Sequence, residues 1–122
     1  MPKKVLLVDD EPNILLSLEF LMQRAGYQVE TAADGEAALQ CITAAPPDLV
    51  LLDVNMPKRD GFDVCQTLRA NPDWAAVRVI MLTAKGRDVE REKGIALGAD
   101  DYITKPFATQ DVIDKVKAIL GE

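Results

Sequence analysis

Several side chains capable of joint chemistry follow short apolar runs. Asp9 and Asp10 come straight after Val5-Leu6-Leu7-Val8, and Asp53 ends Leu49-Val50-Leu51-Leu52. Asn55 lies just beyond Asp53. Thr83 closes the apolar run Val77 to Leu82, and Lys105 follows Asp101 to Thr104. If these runs are strands of one parallel sheet, the groups share its carboxyl edge, where ligands bind in open α/β sheets. Two carboxylates about 5 Å apart repel by roughly 3 kcal/mol at an effective dielectric near 20. A cluster of them therefore needs a cation or a raised pKa. The ligands on offer are oxygens, which selects a hard cation, Mg²⁺ with Mn²⁺ as substitute. A carboxylate beside such an ion can attack phosphorus, so Asp53 is the candidate nucleophile. Lys105 would neutralise the phosphoryl oxygens, and Thr83 would donate a hydrogen bond to one of them.

The elements that must position these groups read as five strand–helix pairs. Val5 to Val8 is the first strand. Pro12 opens the first helix, with Ile14, Leu18, Leu21, Met22 and Ala25 on one face and Gly26 past its end. Tyr27 to Ala32 alternates, as a half-exposed edge strand does. Asp34-Gly35 turns the chain into a helix from Glu36 to about Ala45, with Ala37, Ala38, Cys41 and Ile42 together. Leu49 to Asp53 is a strand buried on both faces. A loop over 54–61 leads to a third helix, about Phe62 to Ala70, with Phe62, Cys65 and Leu68 or Arg69 at helical spacing. Asn71-Pro72-Asp73 breaks it.

The fourth strand is Val77 to Leu82. Lys85-Gly86 leads into a helix over about Asp88 to Leu97, capped by Gly98. The internal Gly94 costs that helix roughly 1 kcal/mol, making it the least stable expected. Asp101 to Thr104 is the last strand, and Thr109 to Leu120 the last helix, with Thr109 as its N-cap and Val112, Val116, Ile119 and Leu120 on one face. Helical crossovers force parallel strands. With the most apolar strands central, the expected fold is a flavodoxin-like (βα)5 three-layer sandwich, strand order 2-1-3-4-5, in one domain over residues 1–122.

Composition narrows the function. The formal net charge is -6 and the pI about 4.6, which argues against a nucleic-acid-binding surface. There is no histidine, so histidine-based catalysis or metal ligation within the chain is excluded. Cys41 and Cys65 read as free thiols on helix faces. No apolar run approaches the ~18 residues of a membrane span. The start, Met1-Pro2-Lys3-Lys4, leads straight into the first strand without a signal-peptide core. A cytoplasmic location is expected.

Each group also has a plainer use. Asp9-Asp10 could start a helix, Asp53 and Asn55 could make a turn, and Thr83 and Lys105 could be structural. Their joint placement on one sheet edge favours chemistry. The chain also closely resembles the receiver domain of bacterial two-component response regulators, over essentially its whole length. The matching pieces are Val8-Asp9-Asp10-Glu11, Leu52-Asp53-Val54-Asn55-Met56-Pro57, Asp60-Gly61, Leu82-Thr83-Ala84, Gly98-Ala99-Asp100-Asp101-Tyr102 and Thr104-Lys105-Pro106-Phe107.

The resemblance implies that Asp53 accepts a phosphoryl group from a histidine kinase or phosphotransfer protein. Asp10 and Asp53 would be Mg²⁺ ligands, with Asp9 helping through water and Asn55 giving its backbone carbonyl. Lys105 would pair with the phosphoryl group and be joined to Pro106 by a cis bond. Thr83 and Tyr102 would form a switch pair, with output through the fourth helix, fifth strand and fifth helix. Val54 and Lys85, beside the site, depart from the family's usual residues.

On this reading the chain is a signalling receiver rather than an enzyme, catalysing only its own phosphorylation and dephosphorylation. Two other classes compete with this reading. A Mg²⁺-dependent phosphohydrolase with an Asp nucleophile would want a second acid at position 55, where Asn is a poor proton donor. A nucleotide- or flavin-binding module would want a phosphate cradle such as GxGxxG, which is lacking. The output could be a downstream effector protein, if the chain stands alone, or an effector domain of a longer regulator. Neither direct nucleic-acid binding nor membrane attachment is expected. Dimerisation on phosphorylation is left open.

Overall fold

The computed structural model describes residues 2–84 and 86–121. Strands β1 (Lys4–Val8), β2 (Gln28–Ala32), β3 (Leu49–Asp53), β4 (Arg78–Ala84) and β5 (Asp101–Lys105) alternate with helices α1 (Pro12–Arg24), α2 (Gly35–Ala44), α3 (Gly61–Ala70), α4 (Asp88–Ala96) and α5 (Thr109–Leu120). The strands are parallel and form one sheet in the order β2-β1-β3-β4-β5. This is the expected topology.

Because successive strand residues face opposite sides, the central strands are apolar on both faces over most of their length. Val5, Leu7, Leu49, Leu51, Ile80 and Leu82 face one layer, where they pack with Leu18 and Met22 of α1 and Val112 and Val116 of α5. Their neighbours Leu6, Val8, Val50, Leu52, Val79 and Met81 face the other, with Ala38 and Ile42 of α2 and Val64, Cys65 and Leu68 of α3. Burying both faces leaves the strand ends as the place where polar groups can meet solvent. The cysteines are free thiols, Cys41 half-buried and Cys65 buried. Among the described residues, no helix is long and apolar enough to cross a membrane.

Several boundaries differ from the sequence reading. Val77 lies outside β4, which instead runs through Thr83 to Ala84, and β5 includes Lys105. A 3-10 turn at Pro72–Trp74 follows α3, its Asn71 side chain accepting from the Asp73 N–H. Val64 joins the buried face of α3, while Phe62 is only half-buried. Thr109 does not cap α5: Ala108 takes that place without a side-chain bond, and Thr109 is already helical. The Thr109 hydroxyl could compete for this role only by staying outside the first turn.

Candidate functional site

The register sets the site. Val8 pairs with Leu52, so Asp9 and Asp53 leave adjacent strands at one level. Asp53 pairs with Leu82, Thr83 follows it, and Ala84 pairs with Lys105. Thus β1, β3, β4 and β5 deliver their groups to one edge. Carboxylate oxygens of Asp9, Asp10 and Asp53 lie within 4.8 Å of one another. Asp9 is fully buried, Asp53 is 6% exposed and Asp10 is exposed.

Among the described residues, one cation answers this charge. Lys105 Nζ sits 2.7 Å from Asp9 Oδ2, 3.4 Å from Asp53 Oδ1 and 3.8 Å from Glu11 Oε1. Asp9 Oδ1 accepts the Glu11 N–H at 2.9 Å, so one of its oxygens does serve the approach to α1 while the other faces the site. Burial, and then the Asp9 charge, push the Asp53 carboxyl up to about 6 despite the pull of Lys105. Burial alone would lower Lys105. Pairing with Asp9 and the charges of Asp53 and Asp9 outweigh it and leave the amine above its ordinary value. Among the described residues the set is short of positive charge and its carboxylates offer only oxygens, which fits a hard divalent cation.

Thr83 is 1% exposed, and its hydroxyl has no hydrogen-bond partner among the described residues. A buried hydroxyl left unpaired costs stability unless something else occupies it. Lys105-Pro106 is a cis peptide bond, as the resemblance implies. Asn55 follows Asp53 on an exposed stretch of the loop, and Val54 beside it is buried in the core. Lys85, the other departure noted from the sequence, lies outside the described residues.

Tyr102 is half-buried on β5. Two cations hold its ring: Arg91 Cζ of α4 lies 4.8 Å and Lys115 Nζ of α5 lies 4.6 Å from the centroid. Arg91 Nη1 also donates to the Tyr102 hydroxyl at 3.2 Å. Arg91 is in turn paired with Asp88, and Lys115 Nζ donates to the Tyr102 carbonyl at 2.7 Å.

Sequence reasoning missed residues that act through backbone proximity. A Cβ on Gly61 would fall 3.0 Å from the Asp53 carbonyl carbon and the Val54 Cα, so only glycine lets α3 begin this close to Asp53. The Asp60-Gly61 pair was the available signal, and Asp60 caps α3 by accepting the Asp63 N–H at 2.9 Å. Glu11 was quoted only as part of a motif, and its reach to Lys105 has no spacing signature.

Residues 5–117 match the family model described as the response regulator receiver domain. The alkaline phosphatase synthesis transcriptional regulatory protein PhoP of Bacillus subtilis is 48% identical over 120 residues, covering 98% of this chain and 49% of that protein. The chain thus spans about half the length of that relative. The crystal structure of a response regulator from Chloroflexus aurantiacus superposes with a TM-score of 0.96 at 38% identity over the full length of both chains. The Vibrio cholerae chemotaxis protein CheY4 gives 0.91 at 34% identity, covering 98% of this chain and 99% of that one.

Proposed function

This chain belongs to the response regulator receiver domain family of two-component signalling, and on that premise we propose that Asp53 is its phosphoacceptor. The observation that carries the reading is the gathering of Asp9 and Asp10 around a buried Asp53, with Lys105 3.4 Å away. The phosphoryl donor is a kinase or phosphotransfer protein carrying phosphohistidine. An ionised Asp53 oxygen attacks phosphorus, the bond to the donor's nitrogen breaks, and an acyl phosphate forms on Asp53. Lys105 offsets the negative charge spread over the transferring oxygens. Asp10 and Asp53, with Asp9 and the Asn55 carbonyl, would hold Mg²⁺, which would supply further charge neutralisation at those oxygens.

The unpartnered Thr83 hydroxyl supports a sensing role: it has a hydrogen bond to give to a phosphoryl oxygen. Tyr102 is its partner in switching, and the signal leaves through α4, β5 and α5. Residues 1–122 form one receiver unit, located in the cytoplasm, and its chemistry is limited to its own phosphorylation and dephosphorylation. The output passes to an effector, either a separate protein or a further domain such as the one implied by the transcriptional regulatory name of the Bacillus subtilis relative.

The test is incubation with acetyl phosphate and Mg²⁺, read by intact mass. One phosphoryl adduct is expected on the wild-type chain and none on Asp53→Ala. An adduct that persists in Asp53→Ala would overturn the assignment.

A further inference from the structure

The loop over 54–60 joins Asp53 to α3 and carries Asn55. Its two ends are pinned: Val54 N–H donates to the Leu82 carbonyl at 3.2 Å, and Gly61 N–H donates to the Val54 carbonyl at 2.9 Å. Near its far end, Arg59 N–H donates to the Pro57 carbonyl at 2.8 Å, and Lys58 sits at φ 68°. Among the described residues, no backbone hydrogen bond fixes Asn55 or Met56. Met56 packs its side chain against the core, and the rest of the stretch takes its course from what its neighbours pack against.

That support comes from α2, which the sequence does not connect to the site. A Cβ on Gly35, the first residue of α2, would lie 2.6 Å from Arg59 Cβ and 2.9 Å from its carbonyl carbon, and closer still to its carbonyl oxygen. The loop backbone rests directly on this position. From the other side, the Arg59 guanidinium forks onto Asp63 of α3, with Nε to Oδ2 at 2.9 Å and Nη2 to Oδ1 at 3.0 Å. Nη2 also donates to the Thr67 hydroxyl at 2.9 Å. Two weaker ties reach the first turn of α2: Arg59 to Glu36 at 3.8 Å and Lys58 to Asp34 at 3.6 Å.

We propose that Gly35 and Arg59 are positioning residues for the metal-holding site: Gly35 gives the loop its seat against α2, and Arg59 clips it to α3. Neither touches the cation; both act through the course of the loop that carries Asn55. The inference rests on the proposed Mg²⁺ site and adds to it two residues and an element, α2, that contribute no ligand. Groups that orient metal ligands from behind commonly matter by about 10- to 100-fold in metal affinity.

The charge of Arg59 makes the test directional. Removing a positive charge from a chain of net charge -6 should, by electrostatics alone, favour binding of a divalent cation. A positioning role predicts the opposite. Mg²⁺ affinity is measured by calorimetry on the folded wild-type chain, Gly35→Ala and Arg59→Met, with folding checked by circular dichroism. Weakening by about tenfold is expected in both variants. An Arg59→Met protein that binds Mg²⁺ as tightly as wild type, or more tightly, overturns the proposal, and so does unchanged affinity in a folded Gly35→Ala. If Gly35→Ala does not fold, Arg59→Met decides alone. Failure of the wild-type chain to bind Mg²⁺ would instead overturn the site itself.

Discussion

The buried carboxyl of Asp53 ties the chemistry to stability. Its pKa is about 6, against an ordinary 3.8, because burial and Asp9 disfavour the charge. The sign follows from linkage. Below about pH 4 both folded and unfolded chains hold the proton. Between about 4 and 6 the unfolded chain loses it first, so stability falls as pH rises, and above 6 the full cost stands. The two pKa values correspond to roughly 3 kcal/mol. In EDTA at pH 7.5, Asp53→Asn should therefore be more stable than wild type by roughly 1–3 kcal/mol in urea unfolding, and the gain should shrink below pH 5. Lys105 keeps Asp9 at 2.7 Å in that variant, so the amine is not stranded. Equal unfolding midpoints at pH 7.5 would show that the site bears no such strain.

Among the elements, α4 stands apart. It buries only Gly94 and leaves Val89 77% and Ile95 46% exposed. The glycine that weakens this helix in isolation has a packing reason: a Cβ there would come 3.1 Å from Met81 Cγ on β4. Polar and cation–ring contacts supply much of the rest of its attachment, with Lys93 4.5 Å from the Phe62 ring of α3 and Arg91 4.8 Å from Tyr102 of β5. Such contacts contribute on the order of 1 kcal/mol each at partly exposed sites. Amide hydrogen exchange should accordingly show residues 88–96 opening at the lowest free energy of the five helices. Protection there equal to that of β3 would refute this. The opposite end of α4 is held firmly: Arg69 donates to the Gly98 and Val77 carbonyls at 2.9 and 2.7 Å and pairs with Asp100 at 3.1 Å. A helix fixed at its C-terminal end and loosely held along its length suits the proposed role of this face in output.

For the molecule as a whole, the relevant quantity is a net charge of -6 with three carboxylates concentrated at one edge. A cation that binds the folded state but not the unfolded one stabilises it by mass action, about 2.7 kcal/mol at a hundred times its dissociation constant. Thermal unfolding should therefore shift upward with Mg²⁺ and return on adding EDTA, and the shift should be much smaller in Asp53→Ala. An equal shift in the variant would mean that the ion acts elsewhere on the acidic surface.

Much of this was legible in the chain itself. The apolar runs 5–8, 49–52 and 77–82, the last broken only by the exposed Arg78 at its edge, told which strands lie at the centre, because strands covered on both faces are apolar on both faces. A polar group ending each of four strands then had to reach one edge, which places Asp9, Asp53, Thr83 and Lys105 together from the chain alone. What remained hidden depends on approach between segments distant in sequence. Gly35 read as a turn residue, and only the packed structure shows it beneath Arg59. The ring of Tyr102 between Arg91 and Lys115, and the Arg69 anchor, join side chains from separate helices and strands. Periodicity and motif spacing report the face a residue occupies within its own element. Which foreign backbone or side chain meets that face is decided by how the elements pack, and that is a property of the tertiary structure alone.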